Sequence, residues 1–211
     1  MTRILLVDDH PIVRQGIKQV LADAFSPAVV GEAANAHEGM NEVRGTDWDV
    51  MVLDITLPGA SGLDLLKDLR RERPTLPVLV LSMHPSEQFA RRAMNAGASG
   101  YLTKDSPPNE LVKAVGEVIA GRRYVHPGVI DELAAGLHPE HSGPAHEVLS
   151  DREYQVLRMI ASGLTVSQVA ARLMLSVKTV STYRARVLEK MNMHTTAELM
   201  HYGIQHNLVD C

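Results

Sequence analysis

Five polar side chains follow short apolar runs in the first half of the sequence. Asp8 and Asp9 come after LLV, Asp54 after VMVL, Ser82 after VLVL, and Lys104 closely after GYL. Clustered carboxylates repel by about 4 kcal/mol per pair at about 4 Å, so three of them together require a cation. Mg²⁺ suits them, because proteins hold it with carboxylates together with phosphate oxygens. With a hydroxyl and an ammonium group added, the set predicts a phosphoryl site in which the Asp54 carboxylate is the nucleophile.

A parallel β-sheet is the element that would position these side chains. Short apolar runs alternate with amphipathic stretches over the first 120 residues, as in βα repeats. The predicted strands are Ile4–Val7, Val29–Ala33, Val50–Leu53, Val78–Leu81 and Gly100–Leu102. The predicted helices lie near Ile12–Ala24, His37–Arg44, Leu63–Arg73, Ser86–Ala96 and Asn109–Ala120. The pattern therefore predicts a doubly wound α/β domain whose five-stranded parallel sheet carries its ligand site at the carboxyl edge.

The rest of the chain predicts a separate all-α domain of four helices behind a linker. These helices are expected near Asp151–Ala161, Val166–Leu173, Val177–Met191 and Thr195–His206. Ser176 is expected to cap the third of them by accepting a hydrogen bond from a free backbone N–H. Gly, Pro and His cluster before these helices, and only a short helix near Val129–Ala135 is expected there. The predicted boundaries are 1–121 for the first domain, 122–147 for the linker and 148–211 for the second domain.

Composition restricts the class of protein. The net charge of -4 excludes a uniformly basic nucleic-acid coat protein, and the excess of acid lies in residues 1–120, with 16 Asp or Glu against 12 Lys or Arg. The single cysteine, Cys211, permits no internal disulfide, which fits a reducing compartment. The sequence shows neither a signal-peptide pattern nor an apolar run of the roughly 18 residues that cross a bilayer. We therefore expect a cytoplasmic protein without a membrane partner.

The chain from Ile4 to about Gly121 resembles the CheY-like receiver family through the blocks LLVDDH, VMVLDITLPGASG, LVLSMH and GASGYLTKD. The resemblance implies that Asp54 accepts the phosphoryl group and that Mg²⁺ is the cofactor. It also implies the surrounding roles: Asp9 as a direct metal ligand, Asp8 as a ligand through water, the backbone carbonyl of Thr56 as a further ligand, Ser82 and Lys104 as phosphoryl-binding groups, and Tyr101 as the aromatic switch that turns inward.

The third C-terminal helix has the face expected of a DNA-reading helix. Val180, Val187, Leu188 and Met191 share one side at helical spacing and should pack inward, while the opposite side is small, polar or basic. The segment from Leu149 to about Leu208 resembles the LuxR-type helix-turn-helix of the NarL/FixJ regulators. Within that family, its sequence is most similar to the GacA/UvrY-type branch. The resemblance implies base-facing positions at Ser181, Thr182 and Ala185, and candidate phosphate contacts at Lys178, Thr179, Arg184, Arg186 and Lys190.

Together the two resemblances imply a two-component response regulator and not an enzyme. A cognate sensor histidine kinase would transfer its phosphoryl group to Asp54, and the phosphorylated chain would form a homodimer on a double-stranded DNA operator. Two other classes stay open at this point. Phosphatases of the haloacid-dehalogenase type also use an aspartyl phosphate, but they carry a second Asp where this chain has Thr56. The C-terminal helices could instead bind a protein partner.

Overall fold

The computed structural model describes residues 1–58, 61–83, 87–125, 144–206 and 208–209. The chain divides into two compact units, Met1–His138 and Pro139–Cys211. The predicted short helix near Val129–Ala135 and the terminal Cys211 lie outside the described residues. Among the described helices, none combines the length and the apolar character that crossing a bilayer requires.

The first unit is a parallel α/β domain. Its strands are β1 (Thr2–Val7), β2 (Ala28–Ala33), β3 (Val50–Asp54), β4 (Val78–Ser82), β5 (Gly100–Thr103) and β6 (Tyr124–Val125). Its helices are α1 (Pro11–Ala24), α2 (Ala36–Gly45), α3 (Gly62–Glu72), α4 (Glu87–Asn95) and α5 (Pro108–Ile119). The strand order is β2-β1-β3-β4-β5-β6, and every neighbouring pair is parallel. The predicted fold class is thus confirmed.

The number of strands was predicted wrongly, because the sheet has six strands and not five. The additional strand β6 pairs with β5, with Tyr124 opposite Gly100 and Val125 opposite Tyr101. It lies inside the stretch 122–147 that the sequence analysis interprets as linker. Tyr124 and Val125 are flanked by Gly, Arg, His and Pro, and two residues are too few to form an alternating or continuous apolar run. The strand therefore lacks the sequence pattern that identified the other five strands.

The central strands are covered on both faces, as expected of parallel strands. All residues of β3 and β4 are buried. A single apolar cluster joins strand side chains such as Ile4, Val52 and Leu81 to Leu111 and Val115 of α5. Helix α1 packs against α5, and α2 packs against α3. This packing fixes the carboxyl ends of β1, β3, β4 and β5 as one rigid edge.

The second unit is helical. A short 3₁₀ turn (Ala145–Val148) precedes α6 (Asp151–Ala161), α7 (Val166–Leu173), α8 (Val177–Lys190) and α9 (Thr196–Gln205). A hydroxyl side chain caps the start of each α-helix by accepting a hydrogen bond from a backbone N–H of the first turn. The capping residues of α6, α7, α8 and α9 are Ser150, Thr165, Ser176 and Thr195 respectively. The predicted cap at Ser176 is therefore present. Helix α8 packs on α6 and α7, so one of its faces contributes to the core and the other stays exposed.

Candidate phosphoryl site and nucleic-acid interface

The carboxyl edge of the sheet brings four of the predicted polar groups into contact range. Asp54 ends β3 opposite Leu81 of β4, and Ser82 ends β4 opposite Thr103 of β5. Asp8 directly follows β1, which lies on the other side of β3. Lys104 directly follows β5, and its backbone N–H donates to the Ser82 carbonyl at 2.7 Å. Residues that are almost a hundred positions apart in the sequence, from Asp8 to Lys104, are thus brought to one edge by the order of the strands.

Asp54 lies at the centre of this edge and is 1% exposed. Its Oδ2 accepts a hydrogen bond from Lys104 Nζ at 2.7 Å, and its Oδ1 accepts one from the Thr56 backbone N–H at 2.9 Å. The same Lys104 nitrogen lies 2.6 Å from Asp8 Oδ2. One ammonium group therefore bridges two carboxylates that come from different strands.

Burial raises the pKa of Asp54 to about 6, because the charged carboxylate loses its water. The Lys104 cation opposes this rise, whereas the charge of Asp8 adds to it. Burial acts on the pKa of Lys104 in the downward direction, but Asp54 and Asp8 outweigh it and the pKa of Lys104 is raised. Lys104 is therefore held as a cation beside a carboxyl group that is largely ionised at neutral pH.

The site has the charge and the ligand atoms for a divalent cation. Asp8, Asp9, His10 and Asp54 each offer one ligand atom, and these atoms lie within 4.8 Å of one another. Three carboxylates and the Lys104 ammonium leave a net charge of minus two (−3 + 1), which Mg²⁺ would neutralise. Among the described residues, none donates a hydrogen bond to the buried Asp9 Oδ1. An acceptor left in this state beside other carboxylates fits an Mg²⁺ ligand.

Ser82 and Tyr101 are buried beside this edge, with 0% exposure each. Both lie on neighbouring strands, and Tyr101 is opposite Val80, two residues before Ser82. The aromatic ring is therefore inside the fold, which is the orientation that the resemblance associates with the switched state. Thr56 reaches Asp54 through its N–H. Its carbonyl stays a predicted metal ligand.

Two residues near the acidic edge were given no role on the basis of the sequence. His10 Nδ1 lies 2.8 Å from Asp9 Oδ1, and Arg14 Nη1 donates to the Asp8 carbonyl at 2.6 Å. The position of His10 directly after the aspartate pair was the available signal. Arg14 lies one turn into α1, where the helical periodicity identifies only a polar face and not its partner.

Helix α8 presents a polar surface beside a buried apolar one. Val180, Val187 and Met191 are buried, as predicted, whereas Leu188 is only partly buried. The exposed positions of α8 include six of the predicted DNA contacts, namely Lys178, Ser181, Thr182, Ala185, Arg186 and Lys190. Thr179 is partly buried, and its hydroxyl lies 2.8 Å from Ser176 Oγ at the helix cap.

Comparisons with known families agree with both halves of this description. The family described as "Response regulator receiver domain" matches residues 4–116, and the family described as "Bacterial regulatory proteins, luxR family" matches residues 147–203. The chain belongs to the response regulators. This response regulator is 36% identical over 209 residues to the response regulator UvrY of Escherichia coli (strain K12), covering 99% of this chain and 96% of that one.

Other relatives extend the likeness to the full length. The response regulator GacA of Pseudomonas aeruginosa (strain PAO1) is 37% identical over 211 residues, which cover 100% of this chain and 99% of that one. Among solved structures, RcsB of Salmonella enterica serovar Typhimurium, bound to promoter rprA in the presence of the phosphomimetic BeF₃⁻, aligns with a TM-score of 0.65. It is 27% identical and covers 96% of this chain and 98% of that one. These relatives are response regulators and not phosphatases. The family comparison therefore does not support the haloacid-dehalogenase type as the family of this chain.

Besides Thr179, two cations among the predicted phosphate contacts of this response regulator have partners within their own domain. Lys190 Nζ donates to Glu153 Oε2 at 2.6 Å, and Arg184 Nε donates to Thr196 Oγ1 at 2.9 Å. The Glu153 side chain is 4% exposed. Burial acts to raise the pKa of Glu153, but the Lys190 and Ser150 hydrogen bonds outweigh it, so this pKa is lowered. The Lys190 contact ties α8 to α6.

Proposed function

We propose that this response regulator controls transcription by phosphorylation of Asp54, with a sensor histidine kinase as the phosphoryl donor. One observation carries the proposal: a buried Asp54 carboxylate contacts Lys104 at 2.7 Å and the Thr56 N–H at 2.9 Å, in a chain that also has a LuxR-family domain. One oxygen of Asp54 would bond to phosphorus as the phosphorus–nitrogen bond of the donor histidine breaks. The imidazole leaves with the electron pair of that bond and takes up a proton.

The residues around Asp54 have separate roles in this transfer. The bridging Lys104 ammonium would exchange a carboxylate oxygen for a phosphoryl oxygen, and the Ser82 hydroxyl would bind a second one. Asp8, Asp9, Asp54 and the Thr56 carbonyl would hold Mg²⁺, whose charge offsets that of the phosphoryl oxygens. Tyr101 would respond to the movement of Ser82, because the two lie on adjacent strands.

The output would be DNA binding by α8 in a homodimer. Ser181, Thr182 and Ala185 are short enough to approach base edges, whereas Lys178 and Arg186 are long cations that reach phosphates. Thr179, Arg184 and Lys190 complete the proposed phosphate contacts by leaving their intradomain partners. Changing a two-state equilibrium from 1:99 to 99:1 takes about 5.5 kcal/mol of differential stabilisation, and phosphorylation of Asp54 together with dimerisation is its proposed source. These parts fit a cytoplasmic regulator that binds an operator.

The test uses Asp54→Asn in the full chain, with Asp68→Asn as the matched control. Asp68 is 60% exposed on α3 and pairs with Arg71. Asp68→Asn therefore removes one carboxylate at a position outside the carboxyl edge of the sheet. We expect wild type and Asp68→Asn to be labelled by acetyl phosphate with Mg²⁺, and beryllofluoride to increase their affinity for genomic DNA fragments at least about tenfold. Asp54→Asn should show neither response, because the acceptor oxygen is missing.

Labelling of Asp54→Asn at the wild-type rate would reject the acceptor assignment. DNA binding that is equal with and without beryllofluoride would reject control by phosphorylation. If the chain retains no DNA fragment under either condition, the remaining alternative, a protein-binding C-terminal domain, replaces the proposed output.

A further inference from the structure

His10 lies inside the acidic edge, although its residue type differs from the carboxylates around it. It follows Asp9 directly and occupies the cap position of α1, where its backbone is extended, with φ −90° and ψ 106°. Its Nδ1 lies 2.8 Å from Asp9 Oδ1 and 3.5 Å from Asp8 Oδ1. Its backbone N–H separately donates to Asp8 Oδ1 at 2.7 Å, which fixes the main chain at this point.

The His10 ring lies at ion-pair distance from Asp9, with Nδ1 and Oδ1 2.8 Å apart. Asp9 Oδ1 is buried and accepts no well-formed hydrogen bond from any residue in the described part of the chain. Two ligands in neighbouring octahedral positions, each about 2.1 Å from a metal ion, lie about 3 Å apart. The separation of 2.8 Å between Nδ1 and Oδ1 therefore matches one edge of a coordination shell.

Within the described residues, the polar contacts of the His10 ring at the start of α1 are those to the Asp8 and Asp9 carboxylates. The ring makes no capping hydrogen bond to the helix, and the side chain is 54% exposed. A half-exposed ring can turn about its side-chain bonds at low cost, whereas its main chain stays fixed by Asp8. Among the described contacts the ring is thus paired only with the two aspartates, where its Nδ1 can share a cation with them.

We propose that His10 is a nitrogen ligand of the divalent cation at this edge, next to Asp9. The inference rests on the proposed function only in that it uses the same metal site. A neutral imidazole leaves the net charge of the site unchanged, but it alters the preference among metal ions. Carboxylates and water suit Mg²⁺ and Mn²⁺, whereas imidazole adds affinity for later first-row ions such as Co²⁺ and Ni²⁺. The receiver would therefore accept Co²⁺ more readily than an all-oxygen site does, and bound Mn²⁺ would serve as a spectroscopic probe of the nitrogen ligand.

Pulsed electron paramagnetic resonance of the Mn²⁺-loaded full chain tests this ligand directly. Wild type should show the nuclear modulation of a coordinated ¹⁴N, and His10→Ala should lose it. His37→Ala is the matched control, because His37 is an exposed histidine of the same domain that contacts Asn41 and not the acidic edge. Asp9→Asn should weaken Mn²⁺ binding as a whole, which assigns the signal to this site.

Affinities provide the second readout. His10→Ala should weaken Co²⁺ binding about tenfold, while Mg²⁺ binding changes less than about twofold, because the lost nitrogen ligand contributes mainly to the affinity for the transition ion. A simple ion pair between His10 and Asp9 would instead leave no ¹⁴N modulation in wild type, and this result overturns the proposal. Retention of the modulation in His10→Ala overturns it as well. If Asp9-dependent Mn²⁺ binding occurs with oxygen ligands alone, only the His10 inference fails; if no metal binds at all, the proposed phosphoryl site fails with it.

Discussion

Lys190 shows how one residue of the C-terminal domain can serve stability and DNA binding with the same charge. Its ammonium group lies 2.6 Å from the Glu153 carboxylate, which is almost completely buried, whereas Lys190 itself is 40% exposed. A buried carboxylate that loses its cation stays charged in a poorly solvated position. Any DNA phosphate that attracts Lys190 therefore competes with an internal ion pair, whereas Lys178 has an exposed position in the first turn of α8.

Lys190→Met should make the C-terminal domain unfold at a higher pH during acid titration. The pKa of Glu153 is lowered in the folded state, so its contribution to stability is complete above the unfolded pKa and is lost as the pH falls through the folded pKa. Removal of Lys190 should raise that folded pKa, and the loss should begin at a higher pH. We expect about 1 kcal/mol less stability at neutral pH, because solvent screens the half-exposed lysine.

Circular dichroism during acid titration of the full chain measures this effect. Fluorescence of Trp48, the single tryptophan, records the receiver in the same sample. Lys178→Met is the control, because it removes the same charge from α8 and is not among the groups that lower the pKa of Glu153. Equal acid midpoints in the two variants would contradict a stabilising role for Lys190.

Residue identity at the phosphoryl site could be predicted where strand ends determine position. Asp8, Asp54, Ser82 and Lys104 each end or follow a strand, and parallel strands share one edge whatever the sequence between them. The partners of Lys190 and Arg184 could not be predicted in this way. They depend on how α6, α8 and α9 pack, which helical periodicity alone does not determine.

At the scale of elements, the junction between β3 and α3 places the start of a helix directly against the backbone of Asp54. Helix α3 begins at Gly62 with a capping box formed by Ser61 and Asp64, and it passes close to the end of β3. A Cβ atom at Gly62 would lie 2.1 Å from the Asp54 carbonyl oxygen. The absence of a side chain at this residue is therefore what lets the helix start directly against the acceptor strand.

Gly62→Ala should consequently disturb the site and the fold together. We expect a loss of about 1–3 kcal/mol in the free energy of unfolding, because the added methyl group overlaps with backbone that is packed in the sheet. Phosphorylation of Asp54 should slow in the same variant. Denaturant titration followed by Trp48 fluorescence measures the stability of this domain.

Gly116→Ala is the matched control for the alanine substitution. Gly116 lies within α5, and a Cβ atom there meets nothing within 4 Å. That change should stabilise the receiver by about 0.4–1 kcal/mol through the entropy of the unfolded chain. Equal free energies of unfolding for the two variants would contradict this prediction, because they would show that the backbone near Gly62 moves to accommodate a methyl group without loss of stability.

The elements themselves were predictable where the apolar pattern is long. The five predicted strands and the predicted helices of the described residues are present, with ends that coincide or differ by one or two residues. Strand β6 was not predictable, because a two-residue strand forms only when the edge of β5 is already in place. Its existence follows from tertiary structure and not from local propensity.

At the scale of the whole molecule, affinity for DNA depends on how many phosphates one assembly neutralises. The segment 146–211 carries 7 Lys or Arg against 6 Asp or Glu, so its net charge is only slightly positive. A weakly basic domain that also uses Lys190 internally gains little from general attraction. Two copies on one operator would double the number of contacts without changing any residue.

The salt dependence of DNA binding therefore reports the stoichiometry. Each phosphate contact contributes about 0.9 to the slope of log affinity against log salt concentration. Lys178→Ala with Arg186→Ala should lower the slope by about 1.8 if one chain binds and by about 3.6 if a homodimer binds. We expect the larger value in the presence of beryllofluoride.

Arg71→Ala with Lys113→Ala is the control for this measurement. Both residues are exposed cations of the receiver, so the pair removes the same charge from the other unit. Its slope should equal that of wild type. An unchanged slope in the α8 double variant would remove Lys178 and Arg186 from the DNA contacts.

The short strand β6 gives the segment after α5 a protective role. Tyr124 and Val125 occupy the outer side of β5, where backbone N–H and C=O groups would otherwise form an open edge. Such an edge is a template for pairing with strands of other molecules and hence for aggregation. The stretch 122–147, predicted as a linker, thus contains near its start two residues that cover the edge of β5 against pairing with foreign strands.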